Sequence, residues 1–89
     1  MAQVINKKNV EYLVLWLGKT ISGYPVSRQS WVFKSSKEAT NQFYHIADRY
    51  DLVVWREDSL NDLIYDFMAE GEIDGEIAVV EIKTLIRKQ

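Results

Sequence analysis

From Glu57 to Glu81 the chain carries nine acidic residues and no base, and this run limits how the segment can fold. Carboxylates are almost never fully buried unless paired, so each must reach solvent while the apolar residues between them turn inward. Whatever elements form there have to be amphipathic. Charge is segregated elsewhere too. The residues before Asp48 hold six bases against Glu11 and Glu38, and the stretch from Ile82 holds three bases and no acid. The formal charge of −2 thus resolves into segments of +4, −9 and +3. A concentrated negative surface steers a basic partner and fixes how it docks.

The chain's 89 residues suit a single compact domain over 1–89. A chain of this length buries only about 60–65% of its unfolded surface, so its core has little in reserve. Cysteine is absent, which removes disulfide support and fits a reducing, cytoplasmic setting. The longest apolar run, from Tyr12 to Leu17, falls far short of the ~20 residues a membrane-crossing helix needs. Lys7 and Lys8 precede that run as in a secretory leader, but Glu11 interrupts it and Gly18-Lys19-Thr20 is a poor cleavage site. A soluble protein with no membrane association is expected.

Val10 to Leu17 is apolar on both parities, which predicts a strand buried on both faces; a helix capped by Asn9 and stopped by Gly18 is the alternative. Gly23-Tyr24-Pro25 marks a turn. Ser30 to Lys34 predicts a strand with Trp31 and Phe33 on one side and Val32 on the other. Ser35 and Glu38 form a capping box, followed by Ala39, Phe43, Ile46, Ala47 and Tyr50 at helical spacing. Asp51 breaks this helix, and Leu52 to Trp55 predicts a strand. Asp58 or Ser59 then caps a second helix, with Leu60, Leu63, Ile64, Phe67 and Met68 as its buried stripe and Gly71 and Gly75 at its end. Ile77 to Ile86 predicts a final strand, with Ala78, Val80, Ile82, Thr84 and Ile86 on one side. The expected class is α+β, or a small α/β fold. It has a mixed sheet of about four strands and two helices in the order β-β-α-β-α-β.

On the second predicted helix, Asp58, Asp62, Asp66 and Glu70 recur every four residues and form an acidic row opposite the apolar stripe. Like charges at that spacing each destabilise a helix by roughly 0.2–0.5 kcal/mol, so an uncompensated row points to a negative face with a use. The expected function is a non-enzymatic interaction protein that docks this face on a basic partner. The partner class is a nucleic-acid-handling protein, blocked by a phage-type inhibitor or nucleic-acid mimic. Glu72, Asp74 and Glu76 extend the face and Tyr65 anchors it.

The stretch from Glu70 to Glu81 resembles an EF-hand calcium loop. Glu70, Glu72 and Asp74 stand at its first, third and fifth places, Gly75 at the sixth and Glu81 at the twelfth. The resemblance implies a weak divalent-cation site, although Glu70 and Glu72 replace the shorter side chains usual there and no second loop is present to pair with it. A third reading takes Lys7, Lys8, Lys19, Arg28, Lys34 and Lys37, interleaved with Tyr24, Trp31 and Phe33, as a single-stranded nucleic-acid site. The negative total disfavours it. Those bases could instead meet the acidic face of another copy, giving self-association.

Catalytic apparatus is not evident. Gly18-Lys19-Thr20 lacks the upstream glycine of a phosphate-binding loop, since Leu13 stands there. With one histidine, His45, and no cysteine, neither a zinc site nor a cysteine–histidine pair can be assembled. No enzyme activity and no cofactor are expected.

Overall fold

The computed structural model describes residues 9–18, 20–21, 24–25 and 28–87. Gly23 of the expected turn, and Lys7, Lys8 and Lys19 among the amino-terminal bases, lie outside them. The elements run β1 (Val10–Leu17), β2 (Thr20–Ile21), β3 (Tyr24–Pro25), β4 (Arg28–Phe33), α1 (Ser36–Arg49), β5 (Val53–Leu60), β6 (Ile64–Ile73) and β7 (Glu76–Ile86). β4, β1, β7, β6 and β5, in that spatial order, make one five-stranded sheet, antiparallel throughout. β2 and β3 pair separately as a short two-stranded ribbon.

The Ser35 cap forms as its residue type dictates. Ser35 Oγ accepts the Glu38 N–H at 3.3 Å, and α1 then buries Ala39, Phe43, Ile46 and Ala47. Its end is a Schellman motif, with the Asp51 N–H donating to Asp48 O and the Leu52 N–H to Ala47 O. Asp51 holds the left-handed conformation this requires, at φ 59°. From there the chain emerges at the edge opposite β4, because α1 has crossed the sheet.

Period-two alternation sets what the helix covers. Val10, Tyr12, Val14 and Trp16 of β1, Ala78, Val80 and Ile82 of β7, and Phe67 and Ala69 of β6 are all buried under it. Phe43, fully enclosed, meets Phe67 edge-on at 5.4 Å, and Trp16 stacks on Tyr50 at 4.7 Å. Small residues in β6 and β7 bring the strands close to the layer above. A Cβ on Gly71 would stand only 3.0 Å from the Leu52 side chain, so bulk there would push on the chain leaving α1.

The structure corrects the expected fold class. Among the described residues it holds a single α-helix and a five-stranded antiparallel sheet, not two helices on about four strands, although a mixed α+β class stands. The segment expected as a second helix is the β5–β6 hairpin. Asn61 and Asp62 sit at φ 53° and 54°, and the Leu63 N–H donates to Leu60 O at 3.0 Å, the geometry of a type I′ turn. The supposed apolar stripe is dispersed. Phe67 is buried, its neighbour Met68 points to the other face, and Leu60 is 61% exposed. Electrostatics favours the hairpin as well. A helix would keep Asp58, Asp62, Asp66 and Glu70 in a repelling row. In the hairpin, Asp58 and Asp66 face each other across the ladder, and Arg56 reaches Asp66 at 3.0 Å and Asp58 at 4.0 Å. Strand spacing also departs from expectation at Gly71, which lies within β6, whereas Gly75 closes the β6–β7 turn at φ 84°.

Phe43 joins helix to sheet, and its loss leaves a large void. Phe43→Ala should lower the unfolding free energy by about 3–5 kcal/mol, read by urea denaturation, and leave much of a domain this size unfolded. Ser35→Ala removes only the cap and should cost about 1 kcal/mol in the same measurement.

Candidate protein-docking face

α1 lies on one face of the sheet, and among the described residues no element covers the other. Register fixes what that bare face presents. One row across β4, β1, β7, β6 and β5 reads Val32, Leu13, Lys83, Asp66 and Asp58. The next reads Ser30, Leu15, Glu81, Met68 and Arg56. Beyond it come Leu17, Val79, Glu70 and Val53, and then Ile77 beside Glu72. The face is thus apolar toward β1 and mixed acidic and apolar toward β5. Among its described residues, Glu11, Asp58, Asp66, Glu70, Glu72 and Glu81 stand against Arg56, Lys83 and Arg87, and Arg87 is ion-paired with Glu11.

Asp58, Asp66, Glu70 and Glu72 of the expected acidic set share this surface, on strands rather than a helix. The others scatter. Asp62 sits in the β5–β6 turn, where it borders a separate cavity of ≈ 470 Å³ with Tyr12, Lys34, Ser35, Ser36 and Tyr65. Asp74 lies in the two-residue β6–β7 turn at φ 52°, and Glu76 begins β7 beside it, opposite Ile73. Tyr65 is on the helix side, edge-on to Tyr12 at 5.5 Å, and its backbone N–H donates to Thr84 Oγ1 at 2.7 Å. Its ring is therefore apart from the acidic face.

The EF-hand resemblance does not survive as geometry. Asp74 and Gly75 close a tight hairpin, so no twelve-residue loop exists, and Glu70 and Glu81 belong to different strands. Among the described residues no three His, Asp or Glu side chains are grouped to hold a metal ion. His45 is exposed on α1. No helix among these residues is long and apolar enough to cross a membrane.

Sequence reasoning overlooked the apolar part of the site. Val53 and Ile77 are 68% exposed and Trp55 is 50% exposed. They line a groove of ≈ 460 Å³ with Glu70, Gly71 and Glu72. β5 supplies Val53 and Trp55, β7 supplies Ile77, and β6 runs between them as the floor. A register shift between Val54 and Arg56 places Trp55 in a bulge, which re-aims its ring relative to a regular strand. The available signal was the alternation of Asp66, Met68, Glu70 and Glu72 with Phe67, Ala69 and Gly71.

Two tyrosine hydroxyls secure this edge. Tyr12 donates to Leu63 O at 2.9 Å, tying the β5–β6 turn to β1; burial and the neighbouring Tyr65 raise its pKa. Tyr44 of α1 donates to the Glu57 carboxylate of β5. Its pKa is pushed up to about 12, first by burial and then by the bond and charge of Glu57. Compared with the phenol's usual 10.0, the folded state holds that proton more tightly. The resulting stabilisation is complete below pH 10.0 and lost as pH climbs toward 12. An ultraviolet titration should show that Tyr44→Phe loses one of the late-titrating phenols of the wild type.

No protein-family model, curated protein or solved structure matches the chain.

Proposed function

We propose that this domain is a non-enzymatic interaction module whose bare, acidic sheet face docks on a basic protein. One observation carries the reading. Val53, Trp55 and Ile77 stand exposed around Glu70 and Glu72 on the uncovered face. Exposed apolar groups set together at this density mark interaction sites more often than idle surface, and an aromatic at the centre is the usual anchor. Carboxylates around them decide the sign of the partner. They repel nucleic acid and attract lysine and arginine.

The partner class this fits is a protein whose own basic surface holds nucleic acid. Same-face carboxylates on one strand recur about every 6.8 Å, and neighbouring strands lie about 4.8 Å apart, so β5, β6 and β7 present a two-dimensional charged array. Such an array can occupy a surface meant for phosphates better than one helical row. The domain would then act as an inhibitor or mimic. Its basic residues Lys34 and Lys37 lie elsewhere, in the bend before α1 and in its first turn.

Capture from lysate with wild type and Glu70→Lys/Glu72→Lys, followed by titration of the captured protein at two salt concentrations, tests this. The expected result is a basic protein whose affinity falls with salt and drops by about 2–5 kcal/mol in the double variant. Equal affinity for both baits would sink the docking face. Salt-sensitive binding to single-stranded DNA, lost on neutralising Lys34 and Lys37, would replace it with direct nucleic-acid binding.

A further inference from the structure

We infer that the groove between Trp55 and Ile77 receives an arginine side chain of the basic partner. This rests on the docking reading and names the chemistry at its centre. The walls Val53, Trp55 and Ile77 offer apolar surface for a methylene stem, and Glu70 and Glu72 stand where the stem's charged end would arrive. At ≈ 460 Å³ the groove is large enough for a long side chain together with part of the backbone that bears it.

The chain itself shows how this ring treats a guanidinium. Arg56 lies over the Trp55 ring at 5.0 Å while its Nη1 donates to Asp66 at 3.0 Å. Indole and carboxylate thus hold one arginine between them. The groove repeats the same pair of groups, with Glu70 and Glu72 replacing Asp66. Arg56 is not among the residues that line it, and among the described residues neither Glu70 nor Glu72 is paired with a cation. An incoming charge therefore has two unneutralised carboxylates to meet.

Arginine fits better than lysine because a planar guanidinium can stack on indole and still present separate N–H groups to two carboxylates. An ammonium, compact and strongly hydrated, uses the ring less well. An anionic or neutral apolar side chain would leave both carboxylates facing it uncompensated.

The test uses the ¹⁵N-labelled domain and two blocked tripeptides, glycine–arginine–glycine and its citrulline counterpart, which keeps the shape and removes the charge. The arginine peptide should shift the Gly71 and Ile77 amides and the Trp55 indole N–H saturably. Citrulline, Glu70→Gln/Glu72→Gln and Trp55→Ala should each weaken it about tenfold. Asp48→Asn, on the exposed side of α1, should leave it unchanged, and amide spectra of the free variants should match the wild type. Equal shifts from citrulline, or shifts centred on the Tyr12–Lys34–Asp62 cavity, would overturn the assignment. A basic protein lost by Glu70→Lys/Glu72→Lys but held normally by Trp55→Ala would overturn the groove alone. Retention by both variants would remove the docking face with it.

Discussion

One helix covers one face of a five-stranded sheet, and everything distinctive about this domain depends on that imbalance. α1 leaves the β4 edge, crosses above β1, β7 and β6, and delivers the chain to β5 on the far side. Phe43 against Phe67 anchors it near the middle, and Trp16 against Tyr50 anchors its carboxyl end. A domain of this size has enough apolar surface for one such interface. The second face must therefore manage in water.

β1 shows how close that compromise runs. Its even residues, Val10, Tyr12, Val14 and Trp16, are sealed beneath the helix, while Leu13, Leu15 and Leu17 on the other parity are only half-buried by their neighbours. The acids of β5, β6 and β7 break up the rest of the bare face, and charges on a sheet limit pairing with other chains. β5 is an edge, and its bulge together with Arg56, Glu57 and Asp58 makes it a poor template for another strand. Its outer edge is protected; its broad side is not.

Much of the helix-covered half was legible in the residues. The cap at Ser35, the face of Ala39, Phe43, Ile46 and Ala47, and the alternation in β7 each obey one period and agree with their surroundings, whereas β1, apolar on both parities, read as buried on both faces and is sealed on one. The segment from Asp58 to Glu70 was not legible for an equally physical reason. A spacing of four is one helical turn and also an even number, so Asp66 and Glu70 align on a helix or on a strand alike, and the hairpin register sets Asp58 beside Asp66. Only Asn61 and Asp62, two residues tolerant of positive φ, separated the alternatives, and the apolar stripe of Leu60, Leu63, Ile64, Phe67 and Met68 outweighed them on paper. Pairing with β7, a relation between distant residues, decided the matter. Asp58, Glu70 and Glu72 are exposed, but Trp55 and Ile77 could not be joined to them while the segment was read as helix.

That change of element alters what the acids mean. On a helix an acidic row opposite the core would stand apart from the apolar stripe. On a bare sheet the same carboxylates sit among Val53, Trp55, Met68 and Ile77, where each apolar group is in contact with water at a cost. Solubility alone would be served by replacing those apolar residues, because Val53, Trp55 and Ile77 are too exposed to contribute much to the fold. Trp55 is also held in a bulge with a guanidinium beside its ring, an arrangement in which the indole is oriented without being buried. A half-exposed, oriented aromatic between carboxylates is better matched to a partner's cation than to the domain's own stability.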